Sequence, residues 1–440
     1  MKRRTFVKQT ALGAAGIGFS SVFPQSAFSR AVAPSDKINI ALIGTRNMGF
    51  GILKHALSFP DVNCVGMCDI DSNLLNERSQ EVTKNFKFKP KLYKDFRKLL
   101  ESRNIDAVIV GTPDHWHCLN TIYACQADKD VYVEKPMANT IGECNIMLKA
   151  EKRYNRIIQV GQQQRSAPIF QKAMELIKGG ELGKLRKVNI WANFKYGIGP
   201  QVVPDTPVPP GVDFDMWLGP APQRSFNPNR FHGNWRHFWD YGGGLMSDWG
   251  VHLIDMALWS RDIVEGPKQA LTFGTNSSSE VRMRETFDTM SITYPKNDFV
   301  INYDLTAGVE RGPYDKPYGL AFIGDNATLV VNRDYLEVFP EWDGEKKVRK
   351  ASTFKMTGQD EGHRLHTRNF LDCIKSRNTP NCPPEYGRAA ALHVHAANIS
   401  ARIGQPHLLW NEQKNEFSNS AEANALITPH YRSPWTLPSI

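Results

Sequence analysis

The chain has 440 residues, 41% of them hydrophobic and 22% charged, with a formal net charge of +9. This is the profile of a soluble globular protein large enough for two cores, and it excludes a disordered or membrane-spanning chain. Lys2, Arg3, Arg4, Lys8 and Arg30 supply much of the positive charge, and no lysine or arginine run that suggests nucleic acid follows them, so nucleic acid is not an expected partner.

The first 33 residues read as an export leader. MKRRTFVK is basic, and Arg3-Arg4 followed by Phe6 and Lys8 resembles a twin-arginine signal. TALGAAGIGFSSVF is apolar but only 14 residues long, too short to cross a bilayer. Cleavage fits after Ser29 or Ala33. An ordinary secretory signal is the alternative. Either way the mature chain is expected in the periplasm, free of the membrane. The seven cysteines form no CxxC pair, so neither a disulfide framework nor a zinc knuckle is indicated.

Past the leader, INIALI (38–43) predicts a buried parallel strand ending at Gly44, and GFGILKHALS a helix. VNCVGMC (62–68) is a second strand ending at Asp69, followed by a polar helix. IDAVIVGTP, VYVEKP and RIIQVG read as further strands, separated by the helices HCLNTIYACQA and NTIGECNIMLKAEKRYN. This alternation predicts a doubly wound α/β domain over residues 34–162 with right-handed crossovers, a Rossmann arrangement.

From residue 163 the rhythm changes. PIFQKAMELIKGG is a helix and LRKVNIWANF a strand. Residues 196–245 are a long irregular excursion rich in Pro, Gly, Trp and Arg, whose aromatic content argues for order and function. DWGVHLIDMALW is a helix, residues 268–340 alternate as strands, and two helices follow, HTRNFLDCIKSR and EYGRAAALHVHAANISARIG. Residues 163–440 are therefore expected to form an α+β C-terminal domain with a large, mostly antiparallel open sheet, which binds substrate. An open sheet face commonly seeks a partner, so a homo-oligomer is expected.

The turn GTRNMG (44–49) has the first and third glycines of a dinucleotide fingerprint, Gly44 and Gly49, with Arg46 in place of the second. It follows a strand, opens a helix, and is followed by Asp69 at the end of the next strand, the context such a loop requires. Arg46 cannot approach the pyrophosphate as glycine does, but its guanidinium can reach a phosphate oxygen, with Asn47 and Met48 beside it. Asp69, followed by Ile70 and Asp71, favours a free ribose hydroxyl, hence NAD over NADP. The alternative role for Asp69 is capping the helix near Ser72.

Three more segments fall at strand carboxyl ends, where α/β ligands bind: GTPDHWH, VEKPMAN and GQQQRS. GGGLMSDWGVH opens a helix in the second half and places Asp248 and His252 four apart, on one face. A lysine and a histidine are what alcohol oxidation needs: His252 as base, Lys135 to stabilise the developing alkoxide, Asp248 to orient either. His115 and His117 lack a third partner at metal-ligand spacing, so no metal is expected.

EKP after a late strand, with GGG…D-x-G-x-H at a helix start, resembles the Gfo/Idh/MocA oxidoreductase family. That family includes glucose–fructose oxidoreductase, inositol dehydrogenases and NAD-dependent glycosidases. The resemblance runs from Ile38 to about Trp410. It implies Lys135 as the catalytic lysine, Asp248 and His252 as its acid and histidine, and NAD held by Gly44, Gly49, Thr112, Pro113, His117, Glu134 and Lys135. Sugars suit a lining of hydrogen-bonding groups and aromatic faces. Gln164, Arg165, Lys195, Tyr196, Trp239, Asp240 and Tyr241 are the candidates, with His252. Export argues that NAD loads in the cytoplasm and stays bound, regenerated within the catalytic cycle. The resulting expectation is a periplasmic sugar, glycoside or polyol oxidoreductase. The rivals are an NAD-dependent glycosidase working by oxidation and elimination at C3, and a non-catalytic sugar-binding protein.

Overall fold

The computed structural model describes residues 36–279, 281–359 and 361–440; the expected leader lies outside the described residues. The first half runs β1 Ile38–Ile43, α1 Asn47–Leu57, β2 Val62–Cys68, α2 Ser72–Phe86, β3 Lys91–Tyr93, α3 Phe96–Leu100, β4 Ala107–Val110, α4 Asp114–Gln126, β5 Asp130–Val133, α5 Ile141–Tyr154 and β6 Ile158–Val160. These six strands form one parallel sheet in the order β3-β2-β1-β4-β5-β6. β4 and β5 are buried at every position, because helices cover both faces of the sheet. The strand order reverses between β1 and β4, which opens a crevice at their carboxyl ends. The edge strand β3 and the short α3 carry no periodic signal and escape a reading of the sequence.

The second half contains α6 Pro168–Lys178, β7 Leu185–Phe194, α7 Phe214–Leu218, α8 Val251–Trp259, β8 Gln269–Thr275, β9 Thr289–Pro295, β10 Val300–Ala307, β11 Tyr318–Gly324, β12 Ala327–Val331 and β13 Tyr335–Pro340. A small ribbon, β14 Trp342–Asp343 with β15 Val348–Arg349, precedes β16 Phe354–Thr357, α9 Gly362–Ser376, α10 Pro384–Ile403, β17 His407–Asn411, β18 Glu416–Phe417 and α11 Ala421–Ala425. The ten-stranded sheet has the order β16-β13-β12-β11-β7-β10-β9-β8-β17-β18. It is antiparallel except where β7 and β10 run parallel, so the sheet is mixed. Alternating burial along β9 and β10 turns one face toward α8 and α10 and leaves the other to solvent.

The excursion 196–245 is ordered around its own apolar cluster, in which Phe214, Trp217, Phe226, Phe231, Trp235, Phe238 and Tyr241 are buried together. It straps across the end of β2. The Ser72 N–H donates to the Gly211 carbonyl, the Asp213 N–H donates to the Ile70 carbonyl, and Asp71 bridges to Val212. Late in the chain, α9 returns to the first sheet: Phe370, Leu371 and Cys373 share a buried cluster with Ile40, Phe50 and Leu53 of β1 and α1. Arg368 and Lys375 pair with Asp61, and Arg377 with Asp130.

Candidate active site

The coenzyme end of the crevice is built by close backbone approach. Gly44 has φ +86°, a left-handed turn that favours glycine. A Cβ on Gly49 would stand 2.4 Å from the Gly44 carbonyl oxygen, and a Cβ on Gly111 2.4 Å from Gly49 Cα. Three glycines thus lock the first turn to the loop after β4, and Gly111 joins the two that the fingerprint identifies. Arg46 occupies the position before α1 in extended conformation and makes no side-chain cap, so the first N–H groups of α1 remain for an anion. Arg46, Asn47 and Met48 all line the cleft. Burial lowers the Arg46 pKa, with Asp71 opposing it.

Asp69 Oδ2 accepts from the Thr45 N–H at 2.6 Å and the Thr45 hydroxyl at 2.8 Å, and Oδ1 accepts from the Asp71 N–H at 3.0 Å. Burial pushes its carboxyl up, with the Thr45 bonds working against this. The cap of α2 is Asp71, not Asp69: Asp71 Oδ1 accepts from the N–H groups of Asn73 and Leu74. Asp71 Oδ2 lies 2.9 Å from His232 Nε2, which reaches in from the excursion.

Thr112, Pro113 and His117 line the middle of the cleft. The His117 ring sits between two carbonyls, with Nδ1 2.8 Å from Pro136 O and Nε2 2.9 Å from Thr112 O. Burial brings its pKa down to about 4 against those carbonyls. Glu134 is buried with Oε1 unpartnered, and burial pushes its carboxyl up to about 7 against the pull of Lys135. The glycine cradle and the uncapped first turn of α1 fit a dinucleotide.

At the far end Lys135 Nζ donates to Asp248 Oδ1 at 2.6 Å and to the Asp248 carbonyl at 2.9 Å. Asp248 Oδ1 also lies 3.1 Å from Arg236 Nε. Burial pushes the Asp248 carboxyl up, but Lys135 and Arg236 outweigh it and hold the group well below the usual carboxylate range. Met246–Gly250 form a single π-helical turn before α8, which carries Asp248 to the cleft. His252 is buried, and burial together with the charge of Lys135 and Arg333 holds it well below its ordinary pKa, hence neutral. Its Nδ1 has no partner. Lys135, Asp248 and His252 line one cavity of about 400 Å³ together with Gly44, Asp69 and Glu134, a volume in the range of ligand pockets.

The substrate candidates divide. Gln164 does not line this cavity: it is buried with both amide atoms unpartnered, and its neighbour Gln163 takes the cleft position. Arg165 is buried in a two-pronged pair with Asp255 at 2.7–3.0 Å and stacks 4.1 Å from the centre of the Tyr386 ring, which is a structural role. Lys195 is exposed near Glu310, away from the cleft lining. Tyr196 is half-exposed, with its hydroxyl against Trp249 Nε1. Trp239 faces a separate small cavity under the Arg402 guanidinium. Asp240 pairs with Arg224, and Tyr241 packs on Trp217 within the excursion's core. His115 does not line the cavity either; its Nε2 lies 3.0 Å from Trp217 O. Sequence reasoning missed Gly111, Gln163, His232, Arg236, Arg333 and His363, which line the cleft. Of these, Gly111 and Gln163 had a signal, their place in the segments GTPDHWH and GQQQRS at strand carboxyl ends.

Residues 38–162 match the oxidoreductase family Gfo/Idh/MocA, NAD-binding Rossmann fold, and residues 171–262 match that family's C-terminal alpha/beta domain. A glycosyl hydrolase family 109 protein of Shewanella pealeana is 33% identical over 162 residues, 33% of this chain and 35% of that protein. An alpha-N-acetylgalactosaminidase of Shewanella oneidensis is 28% identical over 160 residues, 32% of this chain and 35% of that protein. The matches thus span about a third of the length of these curated relatives. A levoglucosan dehydrogenase solved with NADH and levoglucosan superposes with a TM-score of 0.66 at 18% identity, covering 84% of this chain and 98% of that one.

Proposed function

Because this chain belongs to the Gfo/Idh/MocA oxidoreductase family and carries its NAD-binding domain, we propose that it oxidises a hydroxyl of a sugar, glycoside or polyol. The observation that carries this reading is the Lys135–Asp248 pair and the neutral His252 in one cavity with the glycine cradle. Bound NAD supplies the hydride acceptor. The chain's own part is to position the substrate hydroxyl and move its proton. Lys135 Nζ, fixed by Asp248, meets the hydroxyl oxygen and stabilises the charge that grows there. His252 accepts the proton at a ring nitrogen. Arg236 keeps Asp248 ionised, and Trp217 and Trp235 of the excursion line the cavity and limit water.

The reading includes export by the twin-arginine route with NAD retained. Its support is the Arg3-Arg4 leader and the strap of residues 209–213 and His232 over the end of β2. A retained coenzyme is regenerated in place, by a second substrate or by reversal later in the same cycle.

A second reading is favoured by the similarity to glycosyl hydrolase family 109. Oxidation at C3 of a glycoside acidifies the neighbouring C–H, so the aglycone is eliminated, and the same lysine and histidine serve the first step. Mass spectrometry of glycosides incubated with the purified mature protein tests both readings. Loss of two hydrogens marks oxidation, and free aglycone marks cleavage. An unchanged glycoside panel, with no NAD released on denaturing the protein, sinks both in favour of a sugar-binding protein.

A further inference from the structure

The far end of the cleft holds more positive than negative charge. Asp248 Oδ1 is shared by Lys135 Nζ at 2.6 Å and Arg236 Nε at 3.1 Å, so one carboxylate serves two cations. A third cation, Arg333, lies 4.6 Å from the centre of the Trp249 ring, one residue beyond Asp248. Among the described residues no carboxylate pairs with it, and its Nε is buried without a partner. Among the described residues its Nη2 meets a neutral oxygen: with the Gln163 amide nitrogen donating to Gly161 O at 2.9 Å, the amide oxygen accepts from Arg333 at 3.0 Å.

The other carboxyls of the cleft do not make up the deficit. Burial pushes Asp114 up to about 8 and Glu134 to about 7, against the attraction of Lys135 and Arg236. The phosphate charge of a dinucleotide is met at the opposite end, by Arg46 and the first turn of α1. A guanidinium that is part-buried, stacked and, among the described residues, without a carboxylate is a ready fork for an anion.

We propose that the substrate is a carbohydrate bearing an anionic group, a carboxylate or a phosphate, which pairs with Arg333. The inference rests on the reading of this cavity as a carbohydrate site. The test is calorimetric titration of the NAD-loaded mature protein with matched hexoses: neutral, 6-carboxylate and 6-phosphate. An anionic hexose is expected to bind at least about tenfold more tightly than its neutral counterpart, the value of one charge-assisted hydrogen bond. Whether the carboxylate or the phosphate series binds tighter identifies the source of the charge. Arg333→Gln is expected to bring the ratio near one, and Arg333→Lys to retain part of it, with NAD content reporting that each variant is folded. Neutral hexoses binding as tightly as the charged ones, or a preference that survives Arg333→Gln in the NAD-loaded variant, overturns the proposal. The redox reading fails separately, if charged hexoses bind selectively but none reduces bound NAD.

Discussion

The two ends of the cleft are made of different material. At the coenzyme end the wall is backbone, where Gly44, Gly49 and Gly111 approach until no Cβ fits. At the substrate end the wall is polar side chains drawn from separated stretches: Lys135 after β5, Arg236 from the excursion, Asp248 and the neutral His252 around the start of α8, and Arg333 after β12. A backbone wall fails by steric intrusion and is indifferent to proton and salt concentration. A wall of charges can be reshaped sterically, but it fails electrostatically, because Asp248 is held ionised by Lys135 and Arg236.

The largest expected effect separates chemistry from coenzyme binding. Lys135→Ala removes the proposed donor to the reacting oxygen and one of the two cations on Asp248. Sugar-dependent reduction of bound NAD should fall by at least about a thousandfold, while NAD released on denaturation stays at the wild-type amount. Near-normal rates would assign the proton chemistry elsewhere. Gly111→Val attacks the other wall. With 2.4 Å between the new Cβ and Gly49 Cα, the variant should lose bound NAD and about 3 kcal/mol of stability by thermal unfolding.

His252→Ala should cost about a hundredfold in turnover without loss of NAD, in the range of general base catalysis. Because burial holds His252 well below its ordinary pKa, the acid limb of the wild-type rate profile should lie below the normal histidine range. A limb at about 6.5 would contradict that environment. The smallest effect concerns protons. The Asp114 carboxyl is raised from 3.8 to about 8, chiefly by burial. Between these values the folded chain holds a proton that the unfolded chain releases, so this group's contribution to stability falls as pH rises and levels off above about 8. From pH 6 to pH 7.5, wild type should lose about 2 kcal/mol more than Asp114→Asn in urea titrations. Parallel pH dependence in the two proteins would mean that Asp114 is ionised.

The same contrast decides what the sequence discloses. INIALI and VNCVGMC coincide with β1 and β2 because a buried parallel strand is a short apolar run with a definite stop, here at Gly44 and Asp69. Lys135, Asp248 and His252 stand in short motifs at element ends, and so could be named. Arg236 and Arg333 could not, because nothing local marks a charged residue as facing a cleft; that depends on how the excursion and β12 pack. Gln164 and Gln163 differ by one position within the 3₁₀ turn Gln163–Ser166, where no strand or helix period fixes which side chain points inward. Trp239, Asp240 and Tyr241 show the limit of composition: aromatic richness predicted an ordered excursion, but not which rings face inward.

The return of α9 to the first sheet has a consequence for synthesis. A ribosome delivers residues 36–160 long before Phe370 and Leu371 exist, so the nascent nucleotide-binding half keeps an oily flank bare on α1 until residues 362–376 emerge. Completion of that half therefore awaits nearly the entire polypeptide, and a translation product halted before residue 362 is expected to recruit chaperones rather than coenzyme.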